Sequence, residues 1–293
     1  MRAALLAVAL LGRLGAQPAA ELHVLPVQGN VYLLTGAGGN ITVQAGRDGV
    51  LLVDTGLAAR AEDVMAAIRT VSKGPLRYIV NTHVHADHTG GNETLVKLGA
   101  NPDDPGPPRI IAHLAVQERM AEPNSDVKGN LWPNDTYSTP FKDFFFNNEA
   151  VVVTHIPNAH TDGDSIVFFR RSDVLATGDL FMPDRYPFID LNHGGNVQGL
   201  IAGLNKILEI TVPAKYQEGG TFVIPGHGRL CEEADVVEYR DMVTIIRDRV
   251  QDLIRKGMSL DQVQAAKPSF DYDKQYAGDP NAFVEAIYKS LKK

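Results

Sequence analysis

The chain has 293 residues, 44% hydrophobic and 22% charged, with a formal net charge of −7 at pH 7. That length and apolar content can bury one large core or two fused layers, and the negative balance argues against a nucleic-acid surface. With a single cysteine, Cys231, an internal disulfide is excluded.

The amino terminus reads as a secretion signal. Arg2 is a minimal basic region, Ala3 to Gly12 is apolar, and small residues follow from Gly15 to Ala20. The apolar run is too short to anchor in a bilayer, so no stable membrane insertion is expected. Residues 1–20 are expected to be removed on export to the periplasm or the outside, leaving a mature chain that starts between Gln17 and Glu21. Next, Val31–Leu34, Ile41–Ala45 and Val50–Asp54 read as a meander of strands, punctuated by Gly36 to Asn40. Ala61 to Val71 places Val64, Ala67, Ile68 and Val71 on one helical face. Arg77 to Thr82 reads as a strand and Glu93 to Leu98 as a helix. Four prolines within residues 101–108 exclude helix and strand there. Residues 121–142 read as a second irregular stretch. Its Trp132, Tyr137 and Phe141 either form a substrate lid or seat the loop on the core. Phe144, Phe145 and Phe146 read as core.

Strands are expected at Ala150–Ile156, Ser165–Arg170, Val174–Thr177 and just before His227. Asn196 is a good N-cap for a helix from Val197 to Ile210. After His227 the pattern turns helical. Val236, Tyr239, Val243, Ile246, Val250 and Leu253 mark one face of a helix from Ala234 to Lys256, which Gly257 ends. Ser259 to Gln262 has the spacing of a capping box, and Asp279-Pro280 opens a last helix through Leu291. Strands alternating with helices argue an α/β class. Residues 231–293 read as a helical extension of a domain spanning 21–230; they cover the sheets, build a dimer face or roof the site.

His83-Val84-His85-Ala86-Asp87-His88 places three imidazoles and a carboxylate within six residues, just past a strand. Open α/β sheets put their chemistry at the carboxyl ends of strands. Imidazole suits zinc, copper, iron and nickel, and a carboxylate adds charge and a hard oxygen. His160, Asp179 and His227 each follow a short apolar run and are flanked by Gly or Pro. A lone His or Asp in such a place is a turn former or a cap. Beside the first motif the set reads as one metal site. Thr82, Asn81 and Asp54 are candidates to hold the imidazole N–H groups, and Asp54 reads equally as a turn residue. The segment Phe181 to Asp190 starts at Asp179, so Tyr186, His193 and Asn196 are candidates for the substrate pocket. His23, His113 and His155 lack such context and read as structural or surface residues.

The order His-X-His-X-Asp-His, His160, Asp179, His227, with Asp54-Thr55-Gly56 upstream, resembles the metallo-β-lactamase superfamily over about residues 22 to 230. The resemblance implies an αββα sandwich, two mixed β-sheets flanked by helices, with a dinuclear site at their edge. It assigns His83, His85 and His160 to one metal and Asp87, His88 and His227 to the other, with Asp179 bridging. Typical β-lactamases of the first subclass carry Cys where Asp179 stands. An Asp there is the pattern of hydrolases resembling glyoxalase II and lactonases. Two divalent cations about 3.5–4 Å apart clamp a bridging water and lower its pKa towards neutrality. Zinc is the default for these N and O donors, with iron and manganese compatible. Asp87 is expected to orient the nucleophile as well as bind metal. The implied protein is an exported metal-dependent hydrolase of an ester, lactone, thioester or amide of a small molecule. The alternatives are a β-lactamase and a di-iron or sulfur-handling oxidoreductase on the same fold.

Overall fold

Period-two burial along the strands sorts apolar side chains onto two faces, and the fold follows from that sorting. The computed structural model describes residues 21–100, 106–123, 125, 132–217 and 219–292. The expected signal, residues 1–20, and part of each irregular stretch lie outside them. Strands β1 (His23–Gln28), β2 (Val31–Ala37), β3 (Gly39–Gly46), β4 (Gly49–Val53), β5 (Leu76–Val80), β6 (Arg109–His113) and β7 (Asp135–Tyr137) form one sheet in chain order. The first four are an antiparallel meander, and β4 to β7 run parallel. Parallel neighbours need crossovers. These carry α1 (Ala61–Val71), then α2 (Ala86–Thr89) with α3 (Asn92–Gly99), then α4 (Leu114–Met120).

The second sheet has the order β12-β11-β10-β9-β8. Its strands are β8 (Phe141–Phe146), β9 (Glu149–His155), β10 (Ser165–Phe169), β11 (Val174–Ala176) and β12 (Phe222–Ile224). Only β11 and β12 are parallel, and α5 (Val197–Ile210) lies in their crossover. Helices α6 (Glu233–Arg255), α7 (Leu260–Ala265) and α8 (Pro280–Lys292) complete the described chain.

Leu51 and Val53 pack against Val153, Val167 and Ile224 between the sheets, while Val50 and Leu52 face α1 and α3. On the far side, Leu175 and Val223 meet α5, α6 and α8 through Leu204, Val243 and Ile287. Burying each such side chain contributes about 1.5–3 kcal/mol. The result is the αββα sandwich: two mixed sheets with helices on both outer faces.

Several expectations change. Strands β1 and β6 and helix α4 were not read from the pattern. The stretch 121–142 contains β7 and the start of β8. The three adjacent phenylalanines are not all core. They sit on an edge strand, where alternation leaves Phe145 69% exposed while Phe146 is buried and Phe144 packs on Tyr78. Trp132 seats on Val116 and Met120, and the Tyr137 hydroxyl meets Ser165 Oγ at 2.8 Å. The strand expected over 77–82 ends at Val80, and Asp87 and His88 lie in the one-turn helix α2.

Candidate metal centre

The parallel pairs β4–β5 and β11–β12 send their carboxyl ends to one edge of the sandwich. Asp54, His83 to His88, Asp179 and His227 follow those ends, and His160 lies in the turn from β9 to β10. His83, His85, His160 and Asp179 offer ligand atoms all within 4.8 Å of one another, as do Asp87, His88 and His227. Asp179 faces both groups. Its Oδ2 is 3.8 Å from His160 Nε2, and its Oδ1 is 3.2 Å from His88 Nε2 and 3.5 Å from His227 Nε2. His83 Nε2 is buried without a hydrogen-bond partner among the described residues. An unmet buried polar atom costs about 1–3 kcal/mol. Clustered imidazole and carboxylate donors with such an orphan fit divalent cations.

Two glycines permit this crowding. A Cβ at Gly226 would stand 2.0 Å from Asp179 Oδ1, and one at Gly39 would stand 2.7 Å from His88 Cε1. Backbone can come this close to a ligand only where the side chain is absent.

The rings are oriented from behind. Asp54 is 2% exposed and left-handed, with φ of 65°. Its Oδ2 accepts from His88 Nδ1 and from Thr82 Oγ1, both at 2.7 Å, and its Oδ1 accepts from the Thr82 N–H at 2.8 Å. Thr82 Oγ1 in turn accepts from His83 Nδ1 at 3.0 Å. One carboxylate therefore orients a ring in each donor group. His160 Nδ1 donates to the Phe188 carbonyl at 2.6 Å, and His85 Nε2 donates to Asp190 Oδ2 at 2.9 Å. A proton held on the far nitrogen leaves the near one with a free lone pair. Asp54 is thus both turn residue and ring holder. Asn81 is neither: its amide pairs with that of Asn92 at 3.1 and 2.8 Å and fixes the start of α3.

Charge divides the two groups. Burial keeps His83 well below the usual imidazole range and brings His160 down to about 4. Burial opposes the cation at His88 too, but the Asp179 and Asp54 carboxylates outweigh it and raise its pKa well above the ordinary value. At His227 burial is likewise outweighed, by hydrogen bonds to Asp179 and Asp87, which lift it to about 9. In return Asp179 is held well below the carboxylate range, against burial, chiefly by His88.

The substrate-pocket candidates scatter. A pocket of about 480 Å³ opens before the donors, lined by His85, Asp87, Asp179 and His227 together with Arg185, Tyr186 and Phe188. The Tyr186 hydroxyl donates away from it, to Asp273 Oδ1 at 2.8 Å. His193 lies behind His85: its Nδ1 donates to Asp190 Oδ2 at 2.6 Å. The Asn196 side chain accepts from the Gln198 N–H at 2.8 Å and caps α5, outside the pocket lining. Asp190, the Phe188 carbonyl and Arg185 are contributors that the sequence reading missed. No spacing marked them. His113 and His155 stack on each other with centroids 3.5 Å apart, apart from the donor groups, and His23 is exposed on β1. Burial raises the Cys231 thiol to about 12, so it remains protonated.

Fold and donor set define a metal-binding αββα sandwich of the hydrolase type. Residues 25–229 match the model of the metallo-beta-lactamase superfamily, and the chain belongs to that superfamily. It is 26% identical over 135 residues to an uncharacterized protein, YobT, of Bacillus subtilis (strain 168), covering 45% of this chain and 57% of that protein. It is 29% identical over 106 residues to a hydroxyacylglutathione hydrolase of Pelagibacter ubique (strain HTCC1062), covering 36% of each. Both matches thus span under two thirds of the relative's length. Among solved structures, a stereoselective inverting sec-alkylsulfatase from Pseudomonas sp. superposes with a TM-score of 0.68 at 17% identity, over 92% of this chain and 50% of that one. A metallo-beta-lactamase from Pontibacter korlensis gives 0.59 at 17% identity, over 76% of this chain and 99% of that one. At these identities the likeness is one of fold. The 92% match has to reach into the helices after residue 230, which the family match leaves out.

Asp54→Asn keeps a residue that tolerates the left-handed turn but puts a donor where two donors converge. Metal affinity, measured by chelator competition, is expected to fall about 10–100-fold; an unchanged affinity would refute the orienting role. The raised pKa values set a second expectation. Without metal, His88 and His227 are protonated at pH 7 and lose those protons when they become ligands. Apparent affinity should therefore rise with pH through about 9, where His227 gives up its proton. Loading at pH 7 should release more protons than loading at pH 10, read by calorimetry in buffers of different ionisation enthalpy. Equal release at both would count against the charge assignment.

Proposed function

We propose that the chain is an exported hydrolase that holds two divalent ions, zinc by default, and cleaves an ester, lactone, thioester or amide of a small molecule. The observation that carries the reading is the double convergence of donors around Asp179. His83, His85 and His160 would hold one ion and Asp87, His88 and His227 the other, with Asp179 between them. When bound, such a pair lowers the pKa of a shared water and polarises the scissile carbonyl.

The chain's own residues supply the rest. Asp87 is half-buried at the pocket, its Oδ2 3.1 Å from His227 Nε2. It would accept a hydrogen bond from the attacking water and aim it. Asp190 and Asp54 keep the ring protons on the outer nitrogens. Phe188 and Met182 line the mouth and narrow the approach of bulk water. A pocket of about 480 Å³ suits a small molecule. The aspartate at position 179 and the similarity to a hydroxyacylglutathione hydrolase favour this reading over a β-lactamase. Export rests on the apolar run and small residues before Glu21.

Elemental analysis after mild purification should find close to two equivalents of metal. The zinc-loaded protein should turn over at least one of an acyl homoserine lactone, a thioester, a β-lactam and a phosphodiester, with carboxylic derivatives preferred. A stoichiometry fixed at one after reconstitution would refute the two-metal reading. Iron with oxygen- or thiol-dependent turnover would replace hydrolysis by the oxidoreductase alternative. Amino-terminal sequencing from the native compartment should give a start between Gln17 and Glu21; an intact Met1 on cytosolic protein would overturn export.

A further inference from the structure

A second cavity of about 440 Å³ lies beside the metal pocket, between the segment after Asp179 and helix α8. Arg185, Tyr186 and Phe188 line both spaces, so the two adjoin along that ridge. The second cavity's own walls are apolar: Ile189, Ala282, Phe283 and Ala286. Its charged members are Arg185, on the ridge, and Asp279, whose Oδ1 accepts the Asn281 N–H at 2.9 Å at the start of α8. The floor is fixed. Arg185 and Ala277 form a bridge, the Tyr186 N–H donates to the Ala277 carbonyl at 2.9 Å, and the Tyr186 ring stacks on Phe283 at 5.4 Å. Alanines at 282 and 286, one turn apart on α8, leave the space open where larger side chains would fill it.

Phe188 stands at the junction. The residue is 58% exposed, although its ring centroid is only 5.9 Å from that of His85 and 5.8 Å from that of His160. An exposed aromatic between a donor cluster and an apolar cavity is surface that a bound apolar group would cover. Arg185 beside it is exposed, and its guanidinium has no ion pair among the described residues.

We propose that this cavity is the subsite for an apolar acyl chain, so that the substrate is an ester or thioester of a medium-chain carboxylic acid. This rests on the hydrolase reading above. The acyl carbon would sit at the donor groups, with the chain crossing Phe188 into the space under α8. In the reaction the water oxygen bonds to the acyl carbon while the bond from that carbon to the ester oxygen or thioester sulfur breaks. One water proton passes to the departing alcohol or thiol, and the other leaves the new acid, whose carboxylate lies within reach of Arg185. The subsite is built partly by α8, which lies beyond the segment matched by the family model.

The test is binding of the product-like probes acetate and decanoate to the metal-loaded protein, by calorimetry. Acetate reports the carboxylate alone, and decanoate adds the chain. Each buried methylene is worth up to about fourfold, so decanoate should bind at least about 100-fold more tightly than acetate. Ala282→Trp places a ring in the cavity from an exposed position on α8. It should erase most of that gain while acetate affinity and melting temperature stay as in the parent. Equal affinities for the two acids would overturn the proposal. So would a chain-length gain that Ala282→Trp leaves intact. Because binding is read without turnover, failure to hydrolyse any ester would refute the hydrolase reading separately, whereas a flat chain-length profile would refute the subsite.

Discussion

The site depends on one buried carboxylate. Asp54 is placed by strand pairing, since its own N–H donates to the Val80 carbonyl at 2.8 Å across the β4–β5 pair. That pairing puts Asp54 behind both His88 and Thr82, and through Thr82 behind His83. Its left-handed backbone costs about 1–3 kcal/mol. Three hydrogen bonds to an ionised acceptor, each worth about 1.5–3 kcal/mol, more than offset that strain. The register of two central strands is thereby converted into ring orientation in both donor groups.

The remaining donors come from the other sheet, so the centre straddles the seam. His160, Asp179 and His227 hang from strands of the second sheet, while His83 to His88 hang from the first. Backbone hydrogen bonds tie the two sides together at the site. The Ser165 N–H donates to the Thr82 carbonyl at 2.8 Å, and the Asn40 N–H to the Gly226 carbonyl at 2.7 Å. The Asn40 amide also donates to the carbonyls of Pro225 and Gly228, on either side of His227. Interdigitated Val and Leu side chains set the spacing of the sheets, and these polar links set the alignment of their ends. A loosened inter-sheet core would therefore be felt at the centre before the strands themselves melt.

Legibility in the sequence followed range. The motif from His83 to His88 is local, and its residue types declare their chemistry, so it could be read. So could α5 and α6, whose apolar spacing is regular and whose caps are short-range. The fold class followed from alternation and from the family resemblance. Contacts set by tertiary structure were hidden. Asp190 lies 105 positions from His85, and no pattern announces a carboxylate that faces a ring from another loop. The Phe188 carbonyl could not be found at all, because backbone oxygens carry no sequence signature. β7 has three residues, too few for period two to show. Phe145 misled for the opposite reason: three aromatics in a row look like core, yet an edge strand turns the middle one to solvent.

The segment between Asp179 and α5 joins these levels. On the metal side it is held by His160 on the Phe188 carbonyl and by His85 on Asp190. On the helical side it is held by Tyr186 on Asp273 and by its backbone on Ala277. Those helical partners belong to the connection between α7 and α8, which is anchored by Tyr276 and Phe283 in the core that α5 and α6 share with the second sheet. The helices after residue 230 thus do more than cover a sheet. They fix one wall of the pocket, so the shape of that wall and the orientation of His85 and His160 are set by the same stretch of chain, Phe181 to Asp190. A substitution that shifts α8 should displace the pocket wall first and the ligand rings second, because Tyr186 and the Ala277 bridge tie the wall directly to the α7–α8 connection, while the rings are held by Asp190 and a backbone carbonyl.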